Sequence, residues 1–570
     1  MDLKENINLA LGNEPVDLLL KNGKLVNVFS GSIHHCPVAI SGDQIIGFGK
    51  YNARRVVDLD GAFVAPGFID GHIHLESSML TIPEFARNVV PLGTTGVVTD
   101  PHEIANVYGL AGIKYILDSS EGLPIRVSVM FPSCVPATPF ETSGAILGPD
   151  DMTSFRENPR ILGLAEVMNF PGVIFMDPDI LKKINVFKNK VIDGHAPGLS
   201  GKDLTAYKIA GIGSDHECCD LQEAREKLDI GMRIMIREGS AAKNLDSLYP
   251  LINTHNSRNI MLVCDDLHPD DILEKGHLNY LLQKIRAKGL DPLTAIQMVT
   301  INPATYFGLA NVGAILPGYK ADLVILEDLE SFKAKAVYFG GQLVSEQGRF
   351  VYDFHGLTAP KLPESFHIAW EKMTDFKVAV DGPYVNVIEV IPEQIVTRKR
   401  VEKTPTVGGM LNSDPQRDLL KIAVIERHHG SGAYAVGMIK GFGLKAGAIA
   451  SSVAHDSHNI IVVGVNDADM LLAARTVSDM GGGLAVVANE QTRASLPLRI
   501  GGLMSELPIN EVKNRLTECE RATHALGCAL NRPFATLSFM ALTPIPEIKI
   551  TDQGLFDSVN FKFISLFEKS

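Results

Sequence analysis

The chain has 570 residues, 45% of them hydrophobic and 21% charged, and a formal net charge of −13. That length exceeds a single hydrophobic core and calls for roughly two to four domains. The acidic balance excludes a nucleic-acid binder with its basic face, and no uninterrupted apolar run reaches the ~20 residues that cross a bilayer.

In chain order, residues 16 to 64 read as short strands. "VDLLLKNGKLVNV" predicts a hairpin around Asn22-Gly23, and "VAISGDQIIGFG" a second around Gly42-Asp43. From residue 66 to about 305 the pattern changes to short apolar runs alternating with helical segments. The strands are expected to end near His74, Asp100, Phe131, Glu166, His195, His216, Glu238 and Asp265. Among the helical segments are "DLQEAREKLDIG" and "DPLTAIQMV", the latter with Asp291 as N-cap and Pro292 at the first helical position. Strand-helix units in that number match a TIM-like (β/α)8 barrel, with a doubly wound sheet as the alternative. Strand patterns return in "GAILPGYKADLVILED" and "AKAVYFGGQLVSEQGRFV".

The expected α/β architecture is therefore a small β-sandwich domain built from both flanks (residues 1–65 and 306–358), a barrel over 66–305 and a C-terminal α/β domain over 359–570. "HGLTAPKLPESF" is the expected linker to that last domain, which should hold a helix from about Ala468 to Met480. The seven cysteines are odd in number and form no C-x-x-C. The N-terminal "MDLKENINLALGNEPVD" lacks a basic stretch followed by an apolar one. A reducing cytoplasm without a secretory signal is the expectation.

The polar residues fall in one place. In "GFIDGHIHLESS", His72 and His74 lie two apart, so on a strand both imidazoles project from one face. That is either half a metal site or an exposed pair on a loop. Glu166 interrupts the apolar "ILGLAEVM", where an unpaired carboxylate is costly, so it needs a metal or a cation. His195 and His216 end the next two strands, and Asp265 the eighth; its neighbour Asp266 points away on a regular strand. In a barrel all of these converge at the C-terminal mouth, as a mixed N/O donor set suited to Zn, Mn or Fe. Asp100 has a structural reading, as N-cap of a helix with Pro101 at the first position and Glu103 at the third, and a second one in support of the site. "AHDSHN", with His455, Asp456 and His458, is either a turn, or a cluster that caps the barrel mouth and its substrate or binds a further ion.

These passages resemble the amidohydrolase superfamily, and within it the adenine deaminases, over essentially the whole chain. The similarity is carried by "DGHIHLESS", "TDPHEIANV", "LGLAEVMNFPGV", "DGHAPGLSG", "GSDHE", "MIREGS", "CDDLHP" and "SVAHDSHNIIVVG". The resemblance implies a binuclear Mn or Fe site, with Zn as the alternative metal. Glu166 would bridge the ions, with His72, His74 and Asp265 on one and His195 and His216 on the other. Metal lowers the pKa of water from about 15.7 towards about 7, supplying hydroxide for C6 of adenine. Asp265 would move the proton to the departing amine, while Glu238 and Ser240 are the candidates for the ring nitrogen. The implied partner is a small-molecule substrate, and the implied assembly a homo-oligomer, a dimer by preference. Two rival readings share the ligand set: another amidohydrolase, such as a cyclic amidase or deacetylase, and a non-catalytic scaffold of the same fold.

Overall fold

A computed structural model describes residues 3–240, 242–354, 360–373, 375–392 and 394–569. Residues 355–359, the first part of the expected linker, lie outside them.

The eight expected barrel strands are present. They are Phe68–His74, Thr94–Thr99, Arg126–Phe131, Ile161–Val167, Val191–Gly194, Ser214–Asp215, Arg233–Arg237 and Ile260–Val263. Neighbours pair in parallel from the first strand to the fifth, and from the sixth to the eighth. Between the fifth and sixth the Gly213 N–H donates to the Ile192 carbonyl at 2.8 Å. At the other seam the eighth strand breaks after Val263, and Asp265–Asp266 swings over to pair with Ile73–His74. Gly163 allows the fourth and fifth strands to approach, since a Cβ there would sit 1.9 Å from the Val191 carbonyl oxygen. The two expected helices form over Leu221–Asp229 and Pro292–Met298, with Asp220 and Asp291 accepting from first-turn amides.

The small β domain draws on both flanks, as expected. Phe63–Pro66 pairs with Leu323–Leu326 in one sheet, and apolar side chains from both flanks pack between this sheet and the other, which runs through Val16–Lys21. Gly42-Asp43 turns a hairpin, but Asn22-Gly23 does not. Val16–Lys21 pairs with Val38–Ser41 and Ala53–Asp58, whereas Lys24–Asn27 pairs with Ser32–His35 and Phe63–Pro66 in the other sheet. The left-handed Asn22 (φ 55°) is a corner where the chain changes sheets, and its amide donates to Asp58 at 2.8 Å. A hairpin sequence and a sheet-switching corner demand the same positive φ.

Residues beyond 375 combine sheet and helix. The nine-stranded sheet is antiparallel at every pairing except Tyr384–Val390 with Tyr434–Lys440. Hairpins are joined here by a crossover, in which the helix Asp467–Asp479 links Ile460–Gly464 to Gly483–Ala488 on either side of Ala448–Ser451. The helix Asp467–Asp479 packs on it through Met470, Ala473, Ala474 and Val477. The C-terminal unit also shares one continuous apolar core with the barrel.

Arg427 anchors the loop that carries His458. It is fully buried. Its guanidinium donates to the carbonyls of His458, Ser365 (2.8 Å) and Gly501 (2.7 Å). Arg427→Met keeps the bulk and leaves three buried carbonyls unpaired. At ~1–3 kcal/mol for each unpaired group, a marked fall in the urea midpoint is expected. An unchanged midpoint would show that water replaces the guanidinium.

Candidate metal centre

At the C-terminal mouth of the barrel, Glu166 divides its carboxylate between two groups of imidazoles. Oε1 faces His74 Nε2 at 3.4 Å. Oε2 faces His195 Nδ1 at 2.6 Å and His216 Nε2 at 3.2 Å. Asp265 Oδ1 stands 3.4 Å from His72 Nε2 and 3.2 Å from His74 Nε2. All six side chains nominated as ligands at the strand ends therefore meet, and all but the partly exposed His195 are buried.

The local chain explains the placement. On the first strand, the His72 amide donates to Asp70 Oδ1 (3.2 Å), which also accepts from the Cys264 amide of the eighth (3.3 Å). This carboxylate ties the two strands together beneath the site. His74 donates from Nδ1 to the Asp100 carbonyl at 3.0 Å, which turns the lone pair of Nε2 toward Asp265 and Glu166. The Tyr207 hydroxyl accepts from the His195 amide (3.0 Å) and donates to the Val167 carbonyl (2.8 Å), fixing the end of the fifth strand. Asp265 adopts a left-handed backbone, φ 60°. That kink overrides the alternation expected of a regular strand, and Asp266 lines the same cavity, with its Oδ1 accepting from Ser77.

Electrostatics at the centre set the carboxylates against the imidazoles. Burial alone would raise the carboxyl of Glu166, but His216 and His195 hold it well below the usual range. Asp265 is likewise held down against burial by the neighbouring His72 and His74 and by the charge of Arg237. Against its own desolvation, His195 is pushed up to about 9 by the charges of Glu217 and Glu166 and its hydrogen bond to Glu166. An imidazole lone pair aimed at two carboxylate oxygens is repulsive without a cation between them. His72 Nε2 is buried with no hydrogen-bond partner, as a metal-ligating nitrogen would be.

Three charged side chains at the site went unnominated by sequence. Arg237 pairs with Glu217 through both nitrogens (Nη2–Oε2 2.8 Å) and donates to Asp265 Oδ2 at 2.9 Å. Glu217 Oε1 lies 3.4 Å from His216 and 3.6 Å from His195. His102 faces Glu166 Oε1 at 3.5 Å. Each sits inside or beside a quoted motif ("MIREGS", "GSDHE", "TDPHE"), so the available signal was proximity to a strand end.

Two nominated residues are not brought to the centre. The seventh strand ends at Arg237, which points inward, so Glu238 points out to Lys284 Nζ (2.6 Å). Ser240 is bonded to Asp271 and to the His268 amide. Asp100 is not the N-cap. The helix starts at His102, Asp100 Oδ1 accepts from the His102 amide (3.1 Å), and Glu76 takes the Ile104 amide (3.1 Å). Glu103, freed from the expected cap, accepts from His455 Nδ1 at 2.7 Å and from His458.

These contacts carry "AHDSHN" onto the barrel mouth. His455 and Asp456 line the central cavity, while His458 sits behind them. The cavity is concave and opens at the barrel mouth, the kind of place small-molecule sites occupy. Its floor is the histidine-carboxylate cluster. Ile395, Phe539, Leu542, Pro544 and Ile545 from the C-terminal unit supply apolar walls. A flat heteroaromatic ring suits a pocket with charged groups on one side and apolar surface on the other.

Comparison with known proteins agrees with this division. Residues 63–344 match the profile described as "Amidohydrolase family", and residues 394–562 match "Adenine deaminase C-terminal domain". The chain is 48% identical to an adenine deaminase of Desulfatibacillum aliphaticivorans, over 99% of each chain. It is 47% identical to an adenine deaminase of Kosmotoga olearia, over 100% of this chain and 99% of the relative. It is also 47% identical to an adenine deaminase of Methanothrix thermoacetophila, over the full length of both.

Proposed function

This chain belongs to the adenine deaminase family, and from that premise we propose how its barrel centre converts adenine and water to hypoxanthine and ammonia, a reaction of purine salvage. The carrying observation is the divided carboxylate of Glu166, one oxygen toward His74 and the other toward His195 and His216, at the floor of a cavity with apolar walls.

The cofactor is a divalent metal, and the donor set fits a pair of ions. Glu166 would bridge them, His72, His74 and Asp265 would hold one, and His195 and His216 the other. Imidazole and carboxylate together suit Mn or Fe, with Zn as the alternative. When bound, the metal makes water a nucleophile at neutral pH and polarises the ring carbon.

The rest of the work falls to the chain's own groups. Asp265 Oδ2 is occupied by Arg237, so Oδ1 receives the proton from the attacking water. It returns that proton to the exocyclic nitrogen as the C6–N bond breaks, and ammonia leaves. Glu217, paired with Arg237, is placed to accept a hydrogen bond from a ring N–H, the recognition task for which Glu238 and Ser240 face the wrong way. The apolar roof around Phe539 and Leu542 keeps bulk water from the ring.

Among the described residues no helix is long and apolar enough to cross a membrane. The seven cysteines are all free thiols, which supports a reducing cytoplasm as the place of action.

The test is turnover by the Mn-loaded full chain of adenine, other aminopurines, cyclic amides and N-acetylated substrates in parallel, with ammonia release read for the aminopurines and the ring-opened acid or free acetate for the amides. Adenine should be preferred. Turnover of a cyclic amide or an N-acetyl compound with none of adenine would transfer the site to another amidohydrolase reaction. No turnover of any member would leave a scaffold.

A further inference from the structure

Lys549 is fully buried on the strand Ile548–Thr551. Its Nζ donates to two carbonyls, that of Ile395 at 2.7 Å and that of Phe539 at 2.9 Å. Both acceptors belong to residues that wall the central cavity. The Phe539 carbonyl also accepts from the amide of Leu542, a third wall residue, at 3.4 Å. One side chain thus ties together two stretches of the cavity wall that are far apart in sequence.

A lysine is a costly way to make a purely structural tie. Among the described residues no carboxylate pairs with it, and burial pushes its ammonium down to about 7. An unpaired ammonium out of water is expensive, and such costs collect where a site needs its parts held in place. The backbone around it is already in register. The Thr397 amide donates to the Pro546 carbonyl at 3.0 Å, and the Thr397 hydroxyl to the Ile548 carbonyl at 2.7 Å. What Lys549 adds is the spacing of Ile395 from Phe539. The Phe539 ring in turn stacks on His455, with centroids 4.6 Å apart and planes 13° apart, and His455 lines the same cavity.

We propose that Lys549 is a positioning residue for adenine: by holding the Ile395 and Phe539 carbonyls on one nitrogen, it sets the spacing of the apolar walls that close on the ring. A flat ring gains most from apolar surface in direct contact, and a gap of roughly 0.5–1 Å forfeits a quarter to a half of that attraction. Fixed walls therefore favour adenine over purines with a larger group on the amino nitrogen. The inference rests on the reading of the cavity as the adenine site. The chemistry stays with the barrel centre, so Lys549 acts on binding.

The test is made on the full-length, metal-loaded chain. Lys549→Met keeps a long unbranched side chain and removes the donor. It should raise KM for adenine at least ~tenfold while kcat stays within about threefold, the pattern of lost ground-state binding. Its preference in kcat/KM for adenine over N6-methyladenine should fall at least ~fivefold, because a looser wall rejects a methyl group less well. Metal content should not change. A lysine with only a structural task would instead reduce the active fraction, giving a lower kcat at native KM and native preference, and that result overturns the inference. If Lys549→Met does not fold, Lys549→Gln decides. Its amide keeps two N–H donors but is one bond too short to reach both carbonyls, so KM should rise at least ~threefold. Combined with Ile395→Ala, its effect on KM should be smaller than the product of the two single effects, since both loosen one wall. A native KM in Lys549→Gln, or effects that multiply, overturns the inference and leaves the deaminase reading standing. An unaltered chain that does not turn over adenine overturns both.

Discussion

Exchanging Glu166 for glutamine is expected to strip the centre of metal and reduce deamination by more than two orders of magnitude. The substitution preserves shape, so packing on the fourth strand is undisturbed. It removes the charge that His195 and His216 surround, and it turns one ligating oxygen into an amide that donates. Glu166 stands within 3.4 Å of both imidazole groups, whereas Asp265 comes that close to His72 and His74. Loss of an outer partner of a metal ligand already costs ~10–100-fold, which sets the floor for a bridging ligand. Metal content and the initial rate at saturating adenine are measured together. A Glu166→Gln chain with its full complement of metal and a native rate would remove Glu166 from the centre.

The second large effect separates adjacent aspartates. Asp265→Asn should lower turnover by at least the ~10²-fold that general-base loss brings, and further if metal is lost with it. Asp266→Asn should cost at most about tenfold, the ~0.5–1.5 kcal/mol of a single hydrogen bond, because what it loses is the contact to Ser77. The ranking follows from the kink at Asp265, which aims Oδ1 at the His72–His74 pair while Arg237 grips Oδ2. Near-native turnover in Asp265→Asn with an inactive Asp266→Asn would reverse the assignment. Arg237 adds a check on the mechanism: Arg237→Lys keeps a charge but cannot span Glu217 and Asp265 together. It should lower kcat more than it raises KM if its task is to orient the base.

The sequence by itself determined where the chemistry would be. His72 and His74 share a face because strand side chains repeat every two residues. Glu166 was conspicuous because an ionisable group inside "ILGLAEVM" carries a desolvation cost that something must offset. Such signals are complete within a few residues of chain, and six nominated side chains meet as a result. Tertiary structure decided what local pattern cannot encode. Asn22-Gly23 satisfies a hairpin and a corner equally well, and only the partners at Asp58 and in the second sheet select the corner. The inward face of the seventh strand fell to Arg237 and not Glu238, because a one-residue shift in where a strand ends exchanges its two faces. Asp265 left the regular alternation because the eighth strand must bend to meet the first. Glu103 abandoned the helix cap for His455 and His458, some 350 residues away, because a buried carboxylate takes the strongest donors that packing brings to it. Which donors those are depends on how two separately patterned surfaces fit together.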